Sequence, residues 1–294
     1  MEYIPAKTII SAYGENSSWF GTNYNMNIYK GCCHGCIYCD SRSDCYHIER
    51  FDTVRAKANA LEIIRNDLRR KVKTGVVGTG AMSDPYNPFE RELKLTRNAL
   101  ELINAYGFGA AIATKSNLIT RDIDVLKDIA SHSPVLCKIT VTAADDDLCA
   151  ITEPNVCRTG ARFDAIRRLS DAGLYTGVLL MPVLPFITDN PENIISIVRM
   201  AHENGAKFVY AAMGMTLRNN QRMHYYTKLD EAFPGLKQKY MQTYADTYSC
   251  GAPKAARLWA IFAKTCEQYG LLYRMQDIIS GYKQGYKNTQ LSFL

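Results

Sequence analysis

The strongest constraint on this fold is a rhythm. Short apolar runs bounded by Gly, Pro or polar residues alternate with amphipathic stretches at helical spacing. The runs predict strands over 26–29, 75–80, 109–114, 136–142, 176–181 and 208–212, and the stretches predict helices over 53–71, 95–106, 121–131, 161–172 and 191–204. Gly107, Gly173 and Gly205 follow three of these helices, where a glycine supplies the left-handed residue that ends a helix. Strands separated by helices pair in parallel through right-handed crossovers. The expectation is an α/β fold whose natural closure is a partial (β/α)6 barrel of the TIM type.

After about Gly214 the rhythm changes, and 218–233, 236–248, 253–269 and 275–286 read as helices rich in Tyr, Lys and Gln. Residues 1–214 are therefore expected to form the barrel with its N-terminal segment, and 215–294 a helical C-terminal extension packed on it, since no flexible linker precedes the change. Tyr225, Tyr226, Tyr240, Tyr244, Tyr248, Tyr282 and Tyr286 read mainly as amphipathic packing. With 47% hydrophobic and 22% charged residues the composition is that of an ordinary globular protein, and a membrane span is not expected. Ten cysteines without regular pairing or an export signal suit a reducing cytoplasm. The formal charge of +6 is compatible with an anionic partner such as nucleic acid, but it is spread along the chain, and its densest run, 65–73, reads as a solvated helix end.

Chemistry is concentrated in the run Lys30-Gly-Cys-Cys-His-Gly-Cys-Ile-Tyr-Cys39. Cys32, Cys36 and Cys39, spaced C-x3-C-x2-C, offer three thiolates where a fully protein-ligated 4Fe-4S cluster takes four, leaving one iron for a ligand that is not protein. A structural zinc site from Cys36, Cys39, Cys45 and His47 is the alternative. Cys137, Cys149, Cys157, Cys250 and Cys266 read as core or inert.

In parallel α/β sheets ligands gather at the carboxyl ends of the strands. Strand two runs into Gly78-Thr-Gly-Ala-Met-Ser-Asp-Pro-Tyr-Asn-Pro-Phe-Glu90, where Ser83 and Asp84 offer acceptors for an ammonium group. Strand three ends at Lys115, suited to a carboxylate partner. Thr140 and Thr142 close strand four with hydroxyls for a ribose, and Met181-Pro-Val-Leu-Pro185 forms an apolar shelf for a flat base. Singly, each has a structural explanation, as turn opener, strand residue or exposed lysine.

The triad with an aromatic residue, Tyr38, before its last cysteine resembles the radical SAM motif. From about residue 26 to 212 the chain is similar to the spore photoproduct lyase family, through Ser83-Asp-Pro-Tyr-Asn-Pro-Phe-Glu90, Thr114-Lys-Ser-Asn-Leu-Ile-Thr-Arg-Asp122, and Glu153-Pro154 followed by Arg162. The resemblance implies a 4Fe-4S cluster on Cys32, Cys36 and Cys39, with S-adenosyl-L-methionine (SAM) on the open iron. By the same resemblance Tyr38 contacts adenine, Ser83 and Asp84 face the SAM amino group, and Lys115 binds its carboxylate. It implies reductive cleavage of SAM to a 5′-deoxyadenosyl radical, with an electron donor such as flavodoxin or ferredoxin, and a nucleobase or DNA lesion as substrate; a peptide, RNA or small metabolite is the alternative.

One position departs from the family. Two residues before the Ser-Asp pair, where spore photoproduct lyase carries its hydrogen-donating cysteine, this chain has Ala81. The last residues, Gln290-Leu-Ser-Phe-Leu294, resemble the short peptide with which bacterial repair proteins bind the sliding clamp. A C-terminus folded back onto the barrel is the competing reading.

Overall fold

The computed structural model describes residues 1–13 and 19–286. The strands, in chain order, are β1 (Glu2–Ile4), β2 (Ile10–Ala12), β3 (Tyr24–Met26), β4 (Tyr29–Lys30), β5 (Arg55–Lys57), β6 (Val76–Thr79), β7 (Gly109–Thr114), β8 (Val135–Thr140), β9 (Thr176–Leu180), β10 (Phe208–Ala211), β11 (Gly214–Thr216) and β12 (Ser249–Gly251). The helices are α1 (Ala60–Arg69), α2 (Glu90–Leu93), α3 (Leu95–Ala105), α4 (Ile123–Ala130), α5 (Asp146–Thr152), α6 (Thr159–Asp171), α7 (Pro191–Glu203), α8 (Asn219–Ala232), α9 (Leu236–Tyr244), α10 (Ala255–Gln268) and α11 (Met275–Lys283).

The main sheet has seven strands in the order β10-β9-β8-β7-β6-β3-β2. From β3 to β10 the neighbours are parallel and in sequence order, and β2 is antiparallel to β3. The pairing follows from the sequence pattern. Every residue of β8 and β9 is buried, as expected for strands covered on both faces. One face, through Val77, Ile112, Cys137, Ile139, Val178 and Val209, packs on the helices. The other, through Val76, Ala111, Leu136, Leu179 and Phe208, is covered by Phe20 and by Ile278 and Tyr282 of α11.

Local chemistry sets the helix limits. In α7 the buried Ile194, Ile197, Val198 and Ala201 fall on one stripe, Pro191 sits in the first turn, and the Asn190 side chain accepts from the Asn193 N–H at 2.9 Å. The glycines after α3, α6 and α7 have positive φ, 72° at Gly107, 81° at Gly173 and 77° at Gly205, as their positions predict.

Three expectations need correction. The first parallel strand of the main sheet is Tyr24–Met26 rather than 26–29, because Tyr29–Lys30 pairs instead with Arg55–Lys57 in a separate sheet completed by Glu2–Ile4. The same sheet takes the front of the helix expected over 53–71, which starts only at Ala60; tertiary pairing there overrides helical spacing. Beyond Gly214 the chain is not all helix, since Gly214–Thr216 and Ser249–Gly251 form an antiparallel ribbon. The basic run behaves as expected: Arg65, Arg69, Arg70 and Lys73 are exposed, while Lys71 reaches the Ile10 carbonyl at 3.0 Å.

Candidate active site

The cysteine loop leaves β4 and crosses the carboxyl ends of the parallel strands. Gly31 starts it with φ +81°, and a Cβ there would meet the Thr53 carbonyl oxygen at 2.4 Å, so only glycine fits. Backbone bonds then fix the loop: the Cys32 N–H donates to the Phe51 carbonyl at 2.8 Å and the Ile37 N–H to that of Thr152 at 3.0 Å. The Ser83 hydroxyl donates to the Gly31 carbonyl at 2.6 Å.

Cys32, Cys36 and Cys39 lie within one another's electrostatic reach, while Cys33 packs against the main core and Cys45 is exposed. Burial pushes all three thiols up, Cys32 to about 12. A cation bound here would have to displace the thiol protons, since the thiolate is the ligand. Among the described residues no three of His, Cys, Asp and Glu converge on a single ion, so the zinc alternative from Cys36, Cys39, Cys45 and His47 is not assembled. A cluster spreads its cysteines over separate irons, and three thiols in one loop fit that demand.

Asp84 is the keystone of the strand ends. Its Oδ1 accepts from the Tyr86 N–H at 2.9 Å and the Thr114 hydroxyl at 2.6 Å, and its Oδ2 from the Lys115 N–H at 2.8 Å, with His34 Nδ1 at 3.5 Å. These four contacts use the acceptor sites of the carboxylate and tie β6, β7 and the cysteine loop together. Ser83 differs, because its hydroxyl donates to protein but keeps lone pairs free.

Lys115 projects beside the triad. Its ammonium is 5.7 Å from the centre of the Tyr38 ring, and among the described residues it has no hydrogen-bonding or ion-pairing partner. Burial works against its charge, but the fields of Cys36, Glu153 and Cys39 more than offset this and raise its pKa.

Behind the loop lies a buried polar chain. Tyr38 donates its hydroxyl to Glu153 Oε1, Thr142 donates to the same oxygen at 3.2 Å, and Arg162 pairs with Glu153 Oε2 at 2.5 Å. Arg162, fully buried, also donates to the carbonyls of Cys157 and Thr140, each at 2.9 Å. Burial pushes the Glu153 carboxyl up, but Arg162 and Lys115 pull harder, and it ends below its ordinary range.

Of the residues singled out from the sequence, Cys32, Cys36, Cys39, Tyr38, Ser83, Asp84, Lys115, Thr140 and Thr142 come together at this end of the sheet. The Thr142 hydroxyl is engaged by Glu153, and Arg162 takes the Thr140 carbonyl. The shelf at 181–185 is backed by Tyr240, whose hydroxyl donates to the Pro185 carbonyl at 2.7 Å. Sequence reasoning missed His34 and a staple from α8. Gln221 Nε2 donates to the carbonyls of Tyr38 and Thr216, each at 3.0 Å, and Asn220 Nδ2 to that of Arg42 at 2.9 Å. A Gln in a polar helix gives no sequence signal of such a contact.

Volume alone points elsewhere. A cavity of about 550 Å³ lies among Gly75, Gly109 and Pro134, at the amino ends of β6, β7 and β8. The loop end has a pocket of about 140 Å³ beside His34, Ser116 and Cys157. Donor chemistry and strand direction favour the loop end.

The family model of the radical SAM superfamily matches residues 26–198. An uncharacterized protein of Mycobacterium tuberculosis is 29% identical over 236 residues, covering 78% of this chain and 69% of that one. An uncharacterized protein of Methanocaldococcus jannaschii is 31% identical over 172 residues, covering 58% of this chain and 63% of that one. Among solved structures, a variant of spore photoproduct lyase superposes with a TM-score of 0.68 at 12% identity, over 92% of this chain and 81% of that one. Another variant, solved with bound AdoMet and dinucleoside spore photoproduct, gives 0.66 at 13% identity over 88% and 79%. The radical SAM methyltransferase TsrM of Kitasatospora setae, with cobalamin and a 4Fe-4S cluster, gives 0.58 at 12% identity over 90% and 57%. The chain belongs to the radical SAM superfamily and shares the fold of spore photoproduct lyase. It is a radical SAM enzyme, and its cofactors are the 4Fe-4S cluster and SAM of that family. Among the described residues no helix is long and apolar enough to cross a membrane.

Proposed function

We propose that this enzyme abstracts a hydrogen atom from a nucleobase or DNA lesion, using the ends of the parallel strands to hold its cofactors. The observation that carries the reading is the Lys115 ammonium, which has no partner among the described residues, beside the Cys32, Cys36 and Cys39 thiols of one loop. Once bound, the cluster and SAM supply a 5′-deoxyadenosyl radical. Cys32, Cys36 and Cys39 hold the cluster, Lys115 holds the SAM carboxylate, and Ser83 accepts from its amino group through the lone pairs left by Gly31. Asp84 is assigned to positioning, since a direct ammonium contact would displace one of its four partners. Tyr38 flanks the adenine and Thr140 the ribose, with Thr142 acting through Glu153.

We further propose that the sheet curves as a partial (β/α)6 barrel, that residues 215–294 form an extension gripping the cysteine loop through α8, and that the enzyme works in the cytoplasm with flavodoxin or ferredoxin as reductant. All ten cysteines are free, which supports that compartment. The DNA reading draws on the likeness to spore photoproduct lyase, but Ala81 lacks a thiol, which favours a substrate other than the spore thymine adduct. A peptide, RNA or small-metabolite substrate is the second reading, supported by the likeness to TsrM, one structure of which holds a tryptophan substrate. The two readings are separated by screening anaerobically reconstituted enzyme for substrate-dependent 5′-deoxyadenosine. Stimulation by damaged oligonucleotides supports the first, and stimulation only by peptides or metabolites overturns it.

A further inference from the structure

Lys138 stands inside β8, two residues before the strand ends at Thr140. Strand alternation turns it to the face that carries Leu136, away from the helices that pack on Cys137 and Ile139. It is 2% exposed, and its register neighbours are Ala113 on β7 and Gly177 on β9. The ammonium lies 4.6 Å from the centre of the Phe20 ring, and among the described residues no carboxylate, carbonyl or hydroxyl pairs with it. Burial pushes its pKa down to about 7, with Cys137 acting weakly in the opposite direction.

A buried ammonium without an acceptor is costly, and one aromatic face compensates only part of the lost hydration. Methionine would fill the same space without that cost. We propose that Lys138 anchors an oxyanion, a carboxylate or phosphate, of the substrate on this face of the sheet. The inference rests on the radical SAM reading and narrows its substrate to molecules that carry a small anionic group. Thr140 lies two residues up the same strand face, about 7 Å away at the usual strand rise. A substrate seated on Lys138 would therefore reach the strand-end site with a body of small-molecule size. A neutral carbonyl would satisfy one hydrogen bond but leave the charge uncompensated, which is why an oxyanion is the better match.

The probes are inorganic phosphate and acetate, titrated into the reconstituted enzyme by calorimetry against chloride at equal ionic strength. Wild type should bind at least one of them, Lys138→Met should weaken that binding by about tenfold or more, and Lys138→Arg should retain it. Equal binding by Lys138→Met, or no binding to wild type, overturns the inference. A second measurement needs no variant: the Cε carbon resonance of Lys138 should titrate near the depressed value and move to higher pH with the anion bound. The titratable groups in this layer are Tyr175 just before β9, Tyr210 on β10 and Tyr282 on α11, and Cys137 lies next in the strand on the opposite face; β7 and β9 present Ala113 and Gly177 at the lysine. A titration unmoved by either anion also contradicts the anchor. SAM affinity, measured on the same samples, should not change in Lys138→Met. Its absence from wild type would contradict the cofactor reading, whereas SAM binding with no anion effect contradicts the anchor alone.

Discussion

At the residue scale, two charges beside the cysteine loop have opposite consequences. The Lys115 ammonium has no hydrogen-bonding or ion-pairing partner among the described residues, so Lys115→Met removes a charge-assisted contact of about 1.5 to 3 kcal/mol from the ligand rather than from the fold. SAM affinity, measured by calorimetry, should fall about tenfold or more, with iron content and cluster spectrum unchanged; equal affinity would place the lysine elsewhere. Glu153 is the reverse case, because removing its charge strands Arg162, which is fully buried. Glu153→Gln should cost about 3 to 5 kcal/mol in denaturant unfolding. The carboxyl is held below its ordinary 4.5, so its contribution is complete above that value and is lost as pH falls through the lower folded value. The gap between wild type and Glu153→Gln should therefore be widest above the ordinary 4.5 and narrow as pH falls below it. A gap that grows on acidification would contradict the pairing. Ala81, exposed and without a thiol, carries a third expectation: spore photoproduct should turn over poorly or leave radical adducts. Clean, efficient repair, seen by product chromatography, would require another hydrogen donor, with Cys33 and Cys45 the first to replace.

At the element scale, the α8 staple joins the C-terminal part of the chain to the cysteine loop. Gln221, fully buried, donates to the backbone of Tyr38, between Cys36 and Cys39. Gln221→Ala leaves that carbonyl without its partner, a loss of about 1 to 3 kcal/mol in a buried setting, and should speed iron loss to a chelator several-fold while SAM affinity changes less. Unchanged iron release would make the contact incidental. This contact also shows where sequence reading stops. The parallel strands were legible because short continuous apolar runs and stretches at helical spacing report burial directly, as in α7 with Ile194, Ile197, Val198 and Ala201. Arg55–Lys57 was illegible as a strand, since three residues become one only when Glu2–Ile4 and Tyr29–Lys30 arrive from distant positions. The cysteine spacing exposed the triad, whereas the engagement of Asp84 by Thr114 and His34 depends on the meeting of three chain segments.

At the scale of the whole molecule, the polar chemistry is gathered at the carboxyl end of the parallel strands, while the opposite end holds the larger cavity. Gln290-Leu-Ser-Phe-Leu294 lies outside the described residues, and the proposal that it binds a sliding clamp stands on its sequence alone. Deletion of 290–294 should abolish micromolar clamp binding in a pull-down calibrated by calorimetry; equal binding by both forms, or none by either, removes that support for a DNA role. The most direct test of the central claim is anaerobic reconstitution with iron and sulfide, followed by reaction with SAM and a strong reductant. The account predicts about four irons per chain and 5′-deoxyadenosine from wild type, both lost in Cys32→Ala, Cys36→Ala and Cys39→Ala but kept in Cys33→Ala. Stoichiometric zinc, no visible absorbance and intact SAM would contradict it.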